Sequence, residues 1–579
     1  MADIDALVQE YLSLDQNPAT NQEIKGLFEK KDFATLKALL TNRLEFGTAG
    51  LRAEMGSGYS RMNELTVIQA TQGLYAHLHS TVPNLKDKGV VVGHDHRFNS
   101  DSFAKLTAAV FLSKDVKVYY LKGLVHTPLV PFTVTTTGAA CGIMITASHN
   151  PKQDNGYKVY AANGCQIIAP TDKQVAQKIL ENLKPWTWDY DLVNTSKLVV
   201  EKTEEFKEKY FARLAEIRHF PTKSKNVKFL YTAMHGVGLE FAKKSFKAFN
   251  LPEFELCQEQ VLPDPDFPTV KFPNPEEKGA LDLAIKSADK VGAQIILAND
   301  PDADRLAIAE KVGDKWHVFT GNQIGVILAS FILESFKEKG QTANLGVLTT
   351  TVSSHMLEEL AKMNGMRFEE TLTGFKWLGN KAIEMEKEGT KAIFAYEEAI
   401  GFMCYDIVKD KDGVSALGVF SEWANHLYGK GQTVYDHLQN LYQKYGYWVS
   451  QNSYFICHDK PTINKIFDKI RYAPNSTNLD YPNEIGGFKV VYVRDLTIGY
   501  DNLAPNNKPA LPVSSSSQMV TFKLENDCLI TLRTSGTEPK IKYYTEYKGR
   551  DAESGKTELA KIVQSMIDNL LEPQLNNLQ

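Results

Sequence analysis

Short apolar runs of branched residues, each followed directly by polar residues, recur along the chain. Three of them are GIMITASHN (142–150), QIILANDPD (294–302) and AIFAYEEAI (392–400). Such a run, bounded by turn-forming residues, is typical of a buried strand that ends in a loop. This weak self-similarity predicts three related α/β units, each presenting a loop from one strand end. Three functional loops could then face one cleft, because ligands of α/β sheets bind beyond the carboxyl ends of the strands.

The two ends of the chain follow other patterns. Residues 1 to about 45 alternate leucines with charged residues at helical spacing, which predicts helices leading into the first domain. After about residue 450, strand-like segments such as GFKVVYVRD and MVTFKL flank a stretch rich in Pro, Asn and Ser. A chain of 579 residues suggests about four domains at roughly 150 residues each. We therefore predict an α/β fold with three related mixed α/β units and a smaller C-terminal α+β domain.

Composition and charge narrow the classes of partner. The formal net charge is -5 without a basic block, which argues against nucleic acid as the main partner. The six cysteines are far apart and form no CxxC pair, so we expect reduced thiols rather than a zinc knuckle or a disulfide framework. The amino terminus lacks the features of a signal peptide, and no apolar run approaches the roughly 20 residues that span a bilayer. We expect a soluble, cytoplasmic protein without a membrane partner.

The stretch MITASHNPKQDNGYKVY, residues 144–160, ends an apolar run at a hydroxyl, an imidazole and an amide. Asn150-Pro151 forces the chain to turn, so Ser148 is predicted on a loop at the carboxyl end of a strand. That edge of an open sheet faces a crevice, which makes Ser148 a candidate nucleophile. The alternative is a turn whose side chains only satisfy local backbone groups.

The stretch ANDPDADRLAIAE, residues 298–310, places Asp300, Asp302 and Asp304 at alternating positions after a predicted strand. Three carboxylates this close repel one another unless a cation is present, and ligands that are all oxygen suit Mg²⁺ or Ca²⁺. An EF-hand is excluded, because its sixth and twelfth positions are Arg305 and Lys311 here. The competing interpretation is an aspartyl-phosphate phosphatase in which Asp300 is the nucleophile.

Two further loops are suited to phosphate. The glycine-rich stretch FGTAGLRAEMGSGYSRMN, residues 46–63, can bring its backbone and Arg52 close to a phosphate, although a surface loop with a solvated arginine is the alternative. RTSGTEPKIKYY, residues 533–544, groups a guanidinium, two hydroxyls and backbone amides in a turn between predicted strands. The residues of this phosphate nest are Arg533, Ser535, Gly536 and Thr537. It lacks the GxxxxGK[ST] order of a nucleotide P-loop, so ATP is not implied.

The third unit contributes TLTGFKWLG, residues 371–379, and AYEEAIGF, residues 395–402. Glu397 and Glu398 follow a predicted strand, so one of them could accept hydrogen bonds from sugar hydroxyls. An acidic turn without a ligand is the alternative. The sequence thus offers a hydroxyl nucleophile, a cation loop, a hydroxyl-binding loop and a separate phosphate nest. A simple hydrolase does not need the second phosphate site.

The chain resembles the α-D-phosphohexomutases in four motifs that occur in family order: TASHNP, DPDADR, YEEAIG and RTSGT. The resemblance implies four domains around a central cleft. The corresponding boundaries are 1–200 for the phosphoserine loop, 201–325 for the metal loop, 326–448 for the sugar loop and 449–579 for the phosphate loop. It also implies Mg²⁺ held by Asp300, Asp302, Asp304 and a phosphorylated Ser148, with glucose 1,6-bisphosphate as the priming activator.

The resemblance also implies roles for individual residues. Phospho-Ser148 would give its phosphoryl group to a sugar monophosphate, Lys158 would be the general base, His149 would orient the site and Arg52 would offset charge. The role of Lys158 requires its pKa to be lowered by the nearby cation. The implied substrate-binding residues are Arg305, Thr373, Gly374, Lys376, Glu397, Glu398, Arg533, Ser535, Gly536 and Thr537.

The motifs look most like those of the phosphoglucomutase and phosphopentomutase branch. We predict reversible conversion of glucose 1-phosphate and glucose 6-phosphate through a phosphoserine enzyme and a glucose 1,6-bisphosphate intermediate. Many glucose- and mannose-acting relatives have Ser where this chain has Ala399, so ribose or deoxyribose 1-phosphate is an alternative substrate. A metal-dependent sugar phosphatase and a non-enzymatic sugar-phosphate sensor are two competing hypotheses. The oligomeric state is not predicted.

Overall fold

The computed structural model describes residues 4–47, 50–220, 226–515, 517–535 and 539–579. It divides into two compact units. The first comprises Met1–Leu348 and Gly374–Tyr435, and the second comprises Thr349–Thr373 and Asp436–Gln579. This division does not test the four predicted domain boundaries, which remain predictions.

The amino-terminal region is helical, as the leucine spacing predicts. Its helices are Ile4–Leu14, Pro18–Glu29 and Phe33–Leu40. The side chains of Asn17 and Asp32 cap the second and third helices by accepting from backbone N–H groups. The three helices bury a core of their own around Tyr11, Ile24 and Leu36.

The first α/β region is built on a six-stranded mixed sheet. In spatial order its strands are Leu51–Glu54, Asp154–Ala161, Cys141–Ile145, Val90–His94, Val118–Leu124 and Val199–Val200. Its helices are Glu64–Thr81, Leu85–Lys88, Ser100–Leu112, Leu129–Thr137, Thr171–Leu180 and Leu192–Thr195. The wholly buried strand Cys141–Ile145 pairs antiparallel with Asp154–Ala161, with Met144 opposite Lys158. This register brings Lys158 close to the loop that follows Ile145.

The second α/β region has a five-stranded sheet. In spatial order its strands are Lys315–Val318, Leu306–Val312, Ile295–Asn299, Phe229–Thr232 and Glu255–Leu256. Its helices are Thr203–Ile217, Gly238–Ala248 and Asp282–Val291, with a 3-10 turn at Gln258–Gln260. Every residue of Ile295–Asn299 is buried, and Asp300 follows at its carboxyl end. The predicted strand-end position of the aspartate loop is therefore confirmed.

The third α/β region carries the sugar-loop candidates. Its strands Leu345–Thr350, Lys391–Glu397 and Gly401–Cys404 accompany the helices Gly321–Glu338, Phe375–Lys387 and Gly413–Gly429. The next helix, Val434–Tyr445, begins at the end of the first unit and lies mostly in the second. The last two strands pair antiparallel, with Glu397 opposite Gly401. This hairpin contains Glu398 and Ala399 at its turn.

The second unit is dominated by antiparallel strands. These are Tyr447–Ser450, Ser453–Ile456, Glu484–Ile485, Phe488–Asp495, Tyr500–Asp501, Met519–Leu524, Leu529–Thr534 and Lys540–Gly549. The unit also contains the strand Arg367–Thr371 and the α-helices Met356–Met363, Lys460–Arg471 and Ala552–Met566. A 3-10 turn spans Pro505–Asn507, and a π-helical turn spans Ile567–Leu571. Helices Lys460–Arg471 and Ala552–Met566 share one core with the sheet. Three α/β regions and a smaller β-rich C-terminal domain thus match the predicted fold class.

The six cysteines are free, as their spacing predicted, and all six are buried. Within the residues that the structure describes, no helix has both the length and the apolar character needed to cross a membrane.

Candidate active site

Ser148 lies in the loop beyond the buried strand Cys141–Ile145. Its φ of +53° is in the left-handed region, which a residue with a side chain rarely adopts unless its surroundings enforce it. The backbone N–H of Ser148 donates to Thr146 Oγ1 over 2.8 Å. Its hydroxyl donates to Asp300 Oδ2 over 2.8 Å and lies 3.2 Å from His149 Nδ1. The structure therefore brings the serine and aspartate motifs together.

Asp300, Asp302 and Asp304 are buried, and one ligand atom from each lies within 4.8 Å of the others. Asp302 Oδ2 accepts from Lys158 Nζ over 2.7 Å, and Asp304 Oδ2 accepts from it over 2.8 Å. The Oδ1 atoms of Asp302 and Asp304 are buried and accept no hydrogen bond from the described residues. Buried carboxylate oxygens without donors are what a hard cation coordinates, so these residues fit Mg²⁺.

The environments of the three carboxylates differ. Burial raises the pKa of Asp300 well above its ordinary value, and the negative charges of Asp302 and Asp304 add to the effect. Burial acts in the same direction on Asp302. There, however, the Lys158 ammonium and hydrogen bonds that include one from Thr127 outweigh burial and hold the pKa well below its usual range. Asp302 therefore stays negatively charged across the physiological pH range.

Lys158 forms ion pairs with two of the three aspartates. Burial lowers the pKa of its ammonium, but the carboxylates of Asp302 and Asp304 outweigh burial, and the net direction is upward. Two carboxylates within hydrogen-bond distance of Nζ therefore stabilise its proton. The lowering of the Lys158 pKa that a nearby cation would cause remains a prediction. The assignment of Lys158 as the general base remains a prediction.

Further basic groups surround the aspartates. Arg52 lies in strand Leu51–Glu54 and donates from Nη1 to Asn150 Oδ1 over 2.9 Å. The backbone N–H of Arg305 donates to Asp300 Oδ1 over 3.0 Å. Burial holds the pKa of His149 well below its ordinary value, with help from nearby arginines, so its imidazole is neutral. The arrangement is suited to binding an anion beside the aspartates.

The sugar-loop candidates of the first unit are held in place by hydrogen bonds that involve backbone groups. The N–H of Gly374, whose φ is +107°, donates to Glu397 Oε1 over 2.6 Å. Lys376 Nζ donates to the carbonyl of Gly47 over 3.1 Å. Burial raises the pKa of Glu397, and Lys411 opposes the change. Glu398 follows Glu397 at the half-exposed turn of the hairpin.

Thr373 is the last residue of its segment in the second unit, directly before Gly374. Arg533 and Ser535 also belong to that unit. Arg533 Nη2 donates to the Tyr544 hydroxyl over 3.2 Å, and the N–H of Ser535 donates to the carbonyl of Lys540 over 2.9 Å. Gly536 and Thr537 lie outside the described residues. Their assignment to a phosphate nest remains a prediction.

The structure adds three residues to the site that the sequence alone did not single out. Thr127 donates from Oγ1 to Asp302 Oδ2 over 2.6 Å and from its N–H to the Asp302 carbonyl over 2.9 Å. Lys411 Nζ lies 3.2 Å from Asp304 Oδ2. The third, Arg97, donates to the backbone carbonyl of Ser148. All three lie in polar stretches that follow apolar runs. This pattern was the one feature of the sequence that could have marked them as site residues.

Three family models match the chain in sequence order. They are the alpha/beta/alpha domains I, II and III of phosphoglucomutase/phosphomannomutase, at residues 43–185, 208–313 and 320–445. The matched ranges include Ser148, the three aspartates and Glu397.

Several curated proteins are similar to nearly the whole chain. A probable phosphoribomutase of Schizosaccharomyces pombe is 48% identical over 99% of this chain and 98% of its own. The human phosphopentomutase is 46% identical over 100% of this chain and 97% of its own. The human glucose 1,6-bisphosphate synthase is 43% identical over 99% of this chain and 95% of its own.

Solved structures support the same fold at lower identity. The parafusin phosphoglucomutase of Paramecium superposes with a TM-score of 0.67 at 21% identity, covering 92% of this chain and 96% of the other. This similarity shows a shared fold, and the three family models account for its three α/β domains. The chain therefore belongs to the phosphoglucomutase/phosphomannomutase family and is an enzyme of intramolecular phosphate transfer.

Proposed function

We propose that this enzyme is a phosphopentomutase, which interconverts the 1-phosphate and 5-phosphate of ribose or deoxyribose. The contact of Ser148 Oγ with Asp300 Oδ2 at 2.8 Å supports the phosphoserine chemistry. Relatives named phosphoribomutase and phosphopentomutase, at 48% and 46% identity over nearly the whole chain, support the pentose. Ala399 supports it too, because it lacks the hydroxyl that many hexose-acting relatives carry at that position. The pentose was the alternative to our sequence-based prediction of glucose.

The proposed reaction has two matching transfers. In the first, the bond between phosphorus and Ser148 Oγ breaks as the free hydroxyl oxygen of the sugar monophosphate bonds to phosphorus. The hydroxyl proton leaves the sugar, and Ser148 Oγ regains a proton. The resulting bisphosphate turns around, and its other phosphoryl group returns to Ser148 by the reverse chemistry. A catalytic amount of a sugar 1,6-bisphosphate such as glucose 1,6-bisphosphate would prime the serine.

The residues around Ser148 are suited to the charge that this transfer moves. Asp300, Asp302, Asp304 and the phosphorylated Ser148 would hold Mg²⁺, which would offset negative charge on the transferring phosphoryl group. Arg52 and Arg305 would bind the phosphoryl oxygens from other sides.

The proton of the sugar hydroxyl needs an acceptor. Lys158 is the proposed acceptor, and to act as one it must first release the proton that Asp302 and Asp304 now stabilise. His149 is neutral and lies 3.2 Å from Ser148 Oγ, which suits it to orient that hydroxyl. Arg533 and Ser535, with Gly536 and Thr537, would bind the phosphate that is not reacting, while Glu397, Glu398, Thr373, Gly374 and Lys376 would contact the sugar.

A second candidate substrate pair is glucose 1-phosphate and glucose 6-phosphate. The relative named glucose 1,6-bisphosphate synthase, at 43% identity, favours it because that name describes a hexose product. The same serine and aspartates would serve either sugar. The contacts that decide between the two sugars would therefore lie in the sugar loop.

Steady-state rates distinguish the two sugars. The enzyme is assayed on ribose 1-phosphate, deoxyribose 1-phosphate and glucose 1-phosphate, each with Mg²⁺ and catalytic glucose 1,6-bisphosphate. We expect kcat/KM for a pentose 1-phosphate to exceed that for glucose 1-phosphate. A preference for glucose 1-phosphate would contradict the pentose assignment and support the second candidate. Ser148→Ala is the control for contaminating mutase.

A further inference from the structure

The guanidinium of Arg97 binds the backbone of the Ser148 loop. Its Nη2 donates to the carbonyls of Ser148 and Asn150, each over 2.6 Å. Its Nη1 donates to the carbonyls of Pro151 over 2.8 Å and of Asp154 over 3.2 Å. Arg97 is only 3% exposed. One buried side chain therefore ties together four carbonyls between the end of one strand and the start of the next.

Arg97 is itself fixed by its neighbours. Its Nε lies 3.4 Å from Asp95 Oδ2, and both side chains are fully buried. Asp95 Oδ1 accepts from the Arg97 N–H over 3.0 Å and from Ser100 Oγ over 2.6 Å. The ring of Phe267 lies 5.1 Å from the guanidinium carbon. Since Arg97 is held by an ion pair and an aromatic ring, it is a rigid support.

The loop needs such a support because of its backbone conformation. Ser148 is left-handed at φ +53°, a conformation that persists only where the surroundings over-determine it. Thr146 holds the Ser148 N–H, and Arg97 holds the Ser148 carbonyl. Both peptide groups that flank the serine are thus fixed, and their orientation sets the direction of Oγ toward Asp300.

We propose that Arg97 is the positioning residue of the phosphoryl-carrying serine, acting through the loop backbone rather than through contact with substrate. The proposal rests on the proposed function, because it takes Ser148 as the phosphoryl carrier. It goes further in assigning the placement of Ser148 Oγ to a residue outside the four family motifs quoted above. A lysine at this position cannot replace Arg97, because one ammonium lacks the planar fork that reaches carbonyls on two sides.

The test compares Arg97→Lys and Asp95→Asn with the wild-type chain. Arg471→Lys is the matched control, since Arg471 is similarly buried, at 2% exposed, and paired with a buried aspartate, Asp495, but lies in the second unit. We expect Arg97→Lys to lower kcat by about 10²-fold with KM for the sugar phosphate within about threefold, the pattern of a misplaced reacting group. Asp95→Asn should show a smaller loss of the same kind. Arg471→Lys should leave kcat per folded molecule unchanged.

Hydrogen exchange gives a readout that does not depend on activity. In the unphosphorylated Arg97→Lys chain, amide exchange should rise in residues 146–156 and stay unchanged in strands Val90–His94 and Cys141–Ile145. A uniform rise across the sheet with kcat per folded molecule unchanged would overturn the proposal and leave Arg97 a purely structural residue. If wild-type Ser148 takes no phosphoryl group from a sugar bisphosphate, the proposed function fails, while the exchange result still reports on the loop.

Discussion

The hydroxyl of Ser148 donates to Asp300 Oδ2 over 2.8 Å, although the two residues are 152 positions apart in the chain. Each stands in the loop after a wholly buried strand, one in each of the first two α/β regions. The contact joins a hydroxyl to an acidic cluster suited to a cation, which is the pairing that phosphoryl transfer through a serine needs. The residues that hold this pair in place therefore have measurable effects on metal binding and turnover.

Thr127 should tune the affinity for Mg²⁺. Its hydroxyl and Lys158 both donate to Asp302 Oδ2, which leaves Oδ1 of that carboxylate for the cation. Thr127→Val keeps the shape and removes the donor, so Mg²⁺ affinity should fall by about 10- to 100-fold, as for other residues that orient metal ligands. Calorimetric titration of the unphosphorylated enzyme with Mg²⁺ measures this directly. Thr127→Ser is the control, and equal affinity in the Val and Ser variants would contradict the role.

Two substitutions of Lys158 separate proton transfer from charge stabilisation. Lys158→Arg keeps a cation near Asp302 and Asp304 but cannot accept a proton, whereas Lys158→Met removes both properties. If Lys158 is the general base, both variants should lose about 10²- to 10⁴-fold in kcat. Single-turnover discharge of the phosphorylated enzyme is the appropriate measurement. Retention of most of kcat by the Arg variant would show that Lys158 acts through charge alone.

Ala399 should influence the choice of sugar. It lies at the turn between Glu397 and Gly401, where a serine would add one hydroxyl near the sugar site. One additional hydrogen bond corresponds to a change of about 3- to 10-fold in kcat/KM. Ala399→Ser should therefore raise kcat/KM for glucose 1-phosphate relative to ribose 1-phosphate by that factor. Ala399→Cys has a similar volume and a weak donor, and it serves as the control. An equal change in both variants would assign the effect to volume.

Glu422 should make the stability of the first unit depend on pH. It accepts from the N–H groups of His219 and Phe220, yet burial raises its pKa from 4.5 to about 7. Since the folded pKa lies above the unfolded value, the folded chain binds the proton more tightly. The free energy of unfolding therefore falls as pH rises from about 4.5 to about 7.

Glu422→Gln keeps an oxygen acceptor and removes the charge. Relative to wild type, its free energy of unfolding should rise by up to about 3 kcal/mol between about pH 5 and about pH 8. Chemical denaturation of the full chain at these two values measures the difference. A difference that does not change with pH would contradict the assigned titration.

The sequence predicted the parts of the site that depend on local pattern. Ser148 and Asp300 each follow an apolar run of branched residues, and a buried strand with a loop at its end is the local solution for such a pattern. The helices before residue 45 followed from leucine spacing, and the separate, smaller C-terminal α+β domain followed from a change in composition. These features need no knowledge of distant contacts.

The features that the sequence did not reveal depend on distance across the fold. Thr127 reaches Asp302 across 175 positions, and no spacing rule links them. Arg97 binds backbone carbonyls, which every residue has. Its partners therefore cannot be identified from their residue types. The raised pKa of Lys158 depends on two carboxylates that lie 144 and 146 positions away in the chain.

Ser148 is the proposed carrier of the phosphoryl group. Incubation with glucose 1,6-bisphosphate and Mg²⁺, followed by mass-spectrometric mapping of peptides, tests it most directly. We predict one acid-stable phosphoryl group per chain on Ser148, discharged on addition of ribose 1-phosphate and absent in Ser148→Ala. A hydroxylamine-labile acyl phosphate on Asp300, or no phosphoryl group on Ser148, would contradict the account.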